Sequence, residues 1–193
     1  MNPFSDINLI DEHIASRYPR TIQIDATRQM TITPMVPSDW SMLGDFLEAI
    51  PSRDRKFFRH DLSDAARVER WCSQLDYWHI LPILGWCDAH IVADATLQRE
   101  PGLWTAHIAK IRLLLHPDYR QQGIGTQMVH ELIELADELQ LHKVVHECAA
   151  EQQDLISCLQ KIGFQTAARL PNFIRDRDGN FHEMVLMVYS VRN

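Results

Sequence analysis

The sequence predicts a mixed α/β chain of the α+β type: a single mixed, mostly antiparallel sheet of about seven strands, flanked by helices. Three observations lead there. The first half carries short runs of period-two alternation joined by turn residues, as antiparallel strands do. Amphipathic stretches of helical period interrupt them. The second half runs strand, helix, strand, helix, strand, strand, the pattern of helices packed on one sheet.

Residues 1–18 read as an N-terminal arm or short helix, with Ile7, Ile10 and Ile14 at helical spacing, ahead of a single domain over 19–193. Thr21–Ile24 and Met30–Thr33 alternate about Asp25-Ala26-Thr27 and read as a hairpin. Ser38-Asp39 caps a helix with Trp40, Leu43, Phe46, Leu47 and Ile50 on its apolar face. A second helix follows Ser63-Asp64, with Val68, Trp71, Cys72 and Leu75 on one side. Strands near Ile80–Trp86 and Ile91–Leu97 flank a tight turn at Asp88-Ala89.

Residues 104–115 read as a long strand ending in Ile111-Arg112-Leu113-Leu114-Leu115, stopped by Pro117. A helix from about Gly123 to Gln140 buries Ile124, Met128, Leu132, Leu135, Ala136 and Leu139. The strand Lys143–Cys148 comes next, then a helix over Gln152–Ile162 closed by Gly163, a good residue just past a helix end. Two last strands near Phe164–Ile174 and Phe181–Val191 join through Asp178-Gly179-Asn180.

With 19 Lys+Arg against 26 Asp+Glu, the formal charge is −7. Such a chain has no general attraction to nucleic acid or anionic membrane, and neither is expected as a partner. No run approaches the roughly 18–20 apolar residues of a membrane span, and the N-terminus is not a secretory signal. Cys72, Cys87, Cys148 and Cys158 fall in no metal-binding spacing. They read as reduced thiols of a cytoplasmic protein, and no metal is expected.

The informative segment is the strand–loop–helix at 111–126. A helix N-terminus presents unpaired N–H groups and a positive dipole end. Gly123 and Gly125 let a ligand approach the backbone, making a nest for a phosphate or pyrophosphate. Arg120 adds a charge and Thr126 a hydroxyl. A GxG alone also suits an ordinary tight turn. The GK[ST] ending of a P-loop is absent, and Met128 occupies the third glycine position of a dinucleotide fingerprint.

The whole pattern is more specific: a long strand, His116-Pro117-Asp118-Tyr119-Arg120-Gln121-Gln122-Gly123-Ile124-Gly125, a helix, a strand, a helix, then Gly163-Phe164. Over at least about residues 80–190 it resembles the GCN5-related N-acetyltransferase family, whose pyrophosphate loop reads Arg/Gln-x-x-Gly-x-Gly/Ala. The resemblance implies the acyl-CoA N-acyltransferase fold, with acetyl-CoA or a related acyl-CoA as donor. It further implies that Leu113 and Leu115 offer backbone hydrogen bonds to the pantetheine arm. Arg120 fills the first motif position, and Gln121, Gln122, Gly123, Ile124, Gly125 and Thr126 wrap the pyrophosphate. Gln152 and Leu155 lie along the pantetheine and thiol end.

Family members often use a strand Glu as base and a helix Tyr as acid. Here Leu159 stands at the Tyr position, Gln152 at that of a frequent Asn, and no Tyr lies between 120 and 188. Glu147 and His107 are the candidate catalytic groups, each with a plain alternative as a surface or strand-end residue. His146 is expected on the opposite face from Glu147, and Lys110 stands roughly where a carboxylate is expected, which weakens a strand-base reading. Cys148 reads as packing. Trp71, Trp78, Trp86 and Trp104 are pocket or packing residues, Arg53–Lys56 a gating or solvated loop, and Asp94 and Glu183 possible carboxylates for a cationic amine.

The resemblance implies transfer of an acetyl group to a primary amine, on a small molecule or a protein, by direct attack in a ternary complex. A non-catalytic acyl-CoA-binding sensor or regulatory module, and a different nucleotide-binding α/β protein, are the alternatives. The chain is a monomer or homodimer on this reading, and its acidity slightly favours cationic acceptors.

Overall fold

A computed structural model describes residue 12 and residues 16–58, 64–99 and 102–192. The spacing of Ile7, Ile10 and Ile14, and the Ser63 part of the second helix cap, lie outside these residues.

Among the described residues, eight strands form one sheet: β1 (Arg20–Gln23), β2 (Gln29–Pro34), β3 (Ile80–Cys87), β4 (His90–Arg99), β5 (Ile108–Leu115), β6 (Lys143–Ala149), β7 (Gln165–Arg175) and β8 (Phe181–Ser190). Their order across the sheet is β1-β2-β3-β4-β5-β6-β8-β7. All neighbours are antiparallel except β5 and β6. The helices of the described residues include α1 (Trp40–Ala49), α2 (Ser52–Arg55), α3 (Ala65–Ser73), α4 (Ile124–Glu138) and α5 (Gln153–Ile162). The mixed, mostly antiparallel sheet flanked by helices is therefore the fold expected, with the first hairpin supplying its outermost pair of strands. Among the described residues, no helix is long and apolar enough to cross a membrane.

Alternation along β4 builds a core on each face. Ala93, Ala95 and Leu97 meet Met128, Leu132 and Leu135 of α4. The other face takes α1 and α3, whose Leu43, Phe46, Leu47, Val68 and Cys72 pack with Met35, Leu84 and Ile91. Each fully buried Leu, Ile, Val, Phe or Met side chain among these contributes about 1.5–3 kcal/mol. The turn at Asp88-Ala89 holds both residues at positive φ, 48° and 64°, the geometry that matches the twist of a two-residue hairpin.

Two local expectations change. Trp40 is 37% exposed, not part of the apolar face. A 3-10 turn over Pro37–Asp39 precedes α1, and the buried stripe begins one turn later, at Leu43. The long strand starts at Ile108 rather than 104. Residues 103–107 are turns, closed by the Ile108 N–H donating to Thr105 at 2.8 Å, with Leu103 and Trp104 out in solvent.

The feature that positions the site is a fork. β5 and β6 pair at only three positions, Ile108 with Lys143, Ala109 with Val144 and Lys110 with Val145. Beyond that, β5 stays with β4 as far as Leu115 and β6 stays with β8 as far as Ala149. The two strands diverge, and His146 enters the gap, its Nδ1 2.8 Å from the Ile111 carbonyl oxygen.

Candidate active site

The loop from β5 to α4 lies at the open end of the fork. His116 caps a 3-10 turn over Pro117–Tyr119, its Nδ1 accepting from the Asp118 N–H at 3.3 Å. Gln121 and Gly123 then take left-handed backbone angles, φ 59° and 82°, and turn the chain into α4. The first N–H groups of α4 have no acceptor earlier in the helix. They face the loop at the positive end of the helix dipole.

The two glycines serve different purposes. A Cβ on Gly123 would meet nothing within 4 Å, so its positive φ is what favours glycine there. A Cβ on Gly125 would stand 3.0 Å from Leu115 Cδ1 and 3.4 Å from Leu113 Cδ2. Gly125 therefore seats α4 on β5.

The loop's side chains are engaged within the protein. Arg120 Nη1 lies 2.7 Å from Asp54 Oδ2 on α2, and its Nε and Nη2 donate to the Leu115 carbonyl at 3.4 and 3.3 Å. Its charge is shared with a carboxylate, not wholly turned to the loop. Gln122 donates to the Asp118 carbonyl and accepts from Arg28, both at 2.7 Å. The Thr126 hydroxyl lies 3.5 Å from Cys158 Sγ on α5.

Along a strand, backbone groups alternate sides. Ile111 directs its carbonyl into the fork, so Leu113 and Leu115 direct theirs the same way. The Leu115 carbonyl is taken by Arg120; the Leu113 edge faces the gap. On the far wall, the Gln152 side chain accepts the Ala149 N–H at 2.9 Å, fixing the turn into α5, and Leu155 is partly buried on the main core.

Glu147 stands on β6 two residues past the last β5 pair, 3.6 Å from Lys110 Nζ. Both line a cavity of about 400 Å³ on the α3 face of the sheet. His107 is not brought to this group. It sits in the turn before β5, at the opposite end of the strand from the loop, with its ring 6.1 Å from that of His142. Cys148 is buried, and burial pushes its thiol up to about 11, so it carries no thiolate at neutral pH. Leu159 is core. Among the described residues, no cluster of His, Cys, Asp and Glu is arranged to hold a metal ion.

The same cavity gathers residues that sequence reasoning passed over: Arg67 on α3, Thr96 and Gln98 on β4, and Arg112 on β5. Arg112 Nη2 reaches Asp94 at 3.3 Å and Thr96 at 3.4 Å, and its guanidinium carbon lies 5.3 Å from the Trp71 ring centre. Asp94 is fully buried, which pushes its carboxyl up. The signal was present as alternation. Asp94, Thr96 and Gln98, like Lys110 and Arg112, interleave with buried apolar residues of inner strands. The other tryptophans lie elsewhere. Trp78 stacks beneath Arg99 at 3.9 Å, Trp86 donates to Thr33, and Trp104 is 91% exposed. Residues 53–55 of the charged segment belong to α2, and Glu183 pairs with Arg169.

The sequence profile described as "Acetyltransferase (GNAT) family" matches residues 45–164. The chain belongs to this family of acetyltransferases. No curated protein sequence matches it. Solved structures share its fold at low identity. An acetyltransferase of the GNAT family from Streptococcus pneumoniae is 19% identical, with a TM-score of 0.72 over 83% of this chain and 99% of that one. A ribosomal-protein-alanine N-acetyltransferase from Brucella melitensis is 18% identical, with a TM-score of 0.72 over 82% and 98%. The yncA protein from Salmonella typhimurium, solved with its cofactor acetyl-CoA, is 14% identical, with a TM-score of 0.72 over 85% and 95%.

Proposed function

We propose that this chain is an acetyl-CoA-dependent N-acetyltransferase that acts on a primary amine by direct attack in a ternary complex. The observation that carries the proposal is the fork between β5 and β6, with a helix N-terminus at its open end and Glu147 inside it. The diphosphate of the donor rests on the amides of Gln121 through Thr126, with Arg120 alongside. The pantetheine arm runs along the Leu113 edge as an added strand, past Gln152 and Leu155. This directs the thioester toward Glu147.

Glu147 takes a proton from the incoming ammonium, directly or through one water. The amine nitrogen then forms a bond to the acetyl carbonyl carbon, and as the carbon–sulfur bond of the tetrahedral intermediate breaks the nitrogen sheds its second excess proton to water in the open fork. Leu159 has no proton to give, so the leaving thiolate is protonated from solvent through the open fork. Cys148, buried and protonated, takes no part.

The test is release of CoA thiol by the purified chain across a library of primary amines, beside calorimetry with acetyl-CoA. Glu147→Gln is expected to retain acetyl-CoA binding and lose about a hundred-fold or more in turnover. Binding of acetyl-CoA with no turnover of any amine would favour a sensor module instead. The Glu147–Lys110 pair is the observation on that side, because it holds the base against a cation.

A further inference from the structure

The cavity on the α3 face has a charge opposite to that of the chain. The whole sequence carries −7. The cavity wall presents Arg67, Lys110 and Arg112, with Glu147 as its carboxylate and Asp94 buried behind Arg112. Lys110 is matched by Glu147 and Arg112 by Asp94, which among the described residues leaves the charge of Arg67 over. Arg112 also keeps hydrogen-bonding capacity. A guanidinium has five N–H donors, and the Arg112 side chain is 35% exposed where it lines the cavity. Trp71 supplies an apolar wall beside it.

Position across the sheet orders these groups: Glu147 stands on β6, level with Arg112, whose guanidinium turns the other way, toward Asp94 and Thr96 of β4. Glu147 marks the end nearest the fork, where the thioester arrives. Lys110 and Arg112 project from the same face of β5, two residues and about 6.7 Å apart. Arg67 closes over them from α3. An acceptor in this cavity thus meets a carboxylate at one end and a forked cation at the other. A guanidinium pairs best with a planar carboxylate. A volume near 400 Å³ is that of a small-molecule site.

Resting on the transferase reading above, we infer that the acceptor is a small amine that also carries a carboxylate, an amino acid with an apolar side chain. Its amine faces Glu147, its carboxylate lies on Arg112 and Arg67, and its side chain lies against Trp71. The acidic surface of the chain, taken alone, pointed to a cationic acceptor. The local charge of the cavity reverses that expectation.

The experiment measures CoA release by the full chain with acetyl-CoA and matched pairs, leucine against isopentylamine and phenylalanine against phenethylamine. The amino acid is expected to exceed its decarboxylated partner by about ten-fold or more in kcat/KM. Arg67→Ala and Arg112→Met should each bring that ratio toward one. Because Arg112→Met strands the Asp94 carboxylate, it is also made together with Asp94→Asn, with acetyl-CoA affinity as the check on folding. Arg67 lies on an exposed helix face, so Arg67→Ala tests the idea without that burden. Equal or better turnover of plain amines, or of peptide N-termini, overturns the inference while leaving the transferase standing. Acetyl-CoA binding with no turnover of any amine overturns both.

Discussion

The Nδ1 nitrogen of His146 lies 2.8 Å from the carbonyl oxygen of Ile111, one residue beyond the last backbone pair between β5 and β6. A carbonyl only accepts, so the nitrogen facing it carries the proton. The ring replaces the ladder bond that divergence removes. His146→Leu should therefore cost about 1–3 kcal/mol, since it leaves a buried acceptor unsatisfied. Urea unfolding measures this, and His146→Asn, which keeps an N–H donor, should recover part of the loss. Equal stability of the Leu variant and the native chain would sink the idea.

Gly123 holds φ at 82° with open space where a Cβ would go. Gly123→Ala should cost about 1 kcal/mol through backbone strain alone. Gly123→Asn should cost clearly less, because Asn tolerates the left-handed region. A thermal melt series ranks the three chains. If Ala and Asn destabilise alike, side-chain volume rather than φ governs the position.

Glu131 on α4 is buried and receives three donors. Its Oε1 accepts from Arg17 Nε at 2.8 Å and Tyr18 OH at 2.7 Å, and its Oε2 from Arg20 Nη1 at 2.7 Å. It fastens residues 17–20, at the start of β1, to α4. Glu131→Gln should cost about 1–3 kcal/mol, because buried Tyr18 loses its charged acceptor and Arg17 keeps only Glu134 and Glu138. Glu134, half exposed on the same helix, should cost under about 1 kcal/mol when changed to Gln. Comparable losses at the two positions in chemical denaturation would contradict the burial argument.

His182 is held between two carboxylates, Asp176 at 2.8 Å and Glu151 at 2.6 Å, with the Phe57 ring edge-on at 5.1 Å. Its side chain donates from both nitrogens. Asp176 first and Glu151 second raise its pKa above the usual histidine value. A raised folded-state value means stability that is present in full below about pH 6.5 and is lost as pH climbs through the folded pKa. The stability gap between the native chain and His182→Gln should thus be wider at pH 6 than at pH 9. A gap that does not change with pH would show the histidine to be neutral.

The fold was legible because its signals are local. Pro117 stops a strand, Gly163 ends a helix, and the alternation in β4 and β5 names both faces of the sheet. The strand start at Ile108 was not legible, since Trp104 continues an apolar pattern that the chain uses in a turn. At the site, the loop at Arg120–Gly125 could be read because glycine and an exposed helix start have one-dimensional spacing. The partners could not. Asp54 reaches Arg120 and Arg28 reaches Gln122 across long separations in sequence. Likewise the distance between Glu147 and His107 depends on where β5 and β6 part, which no periodicity encodes.

The bond from Arg28 to Gln122 ties the first hairpin to the donor loop. Arg28 is itself held by Asp25 at 2.7 Å, and Gln122 passes the restraint on to the Asp118 carbonyl. A loop left to itself would sample many shapes and would have to freeze as its guest arrived. This one gives up that freedom when the chain folds, so the entropy of aligning its amides falls outside the binding event. The outermost strands of the sheet thereby act as a splint on a loop that follows them by nearly a hundred residues, and on the donor-binding role proposed for that loop, shortening the chain from its N-terminal side would loosen its grip on a diphosphate.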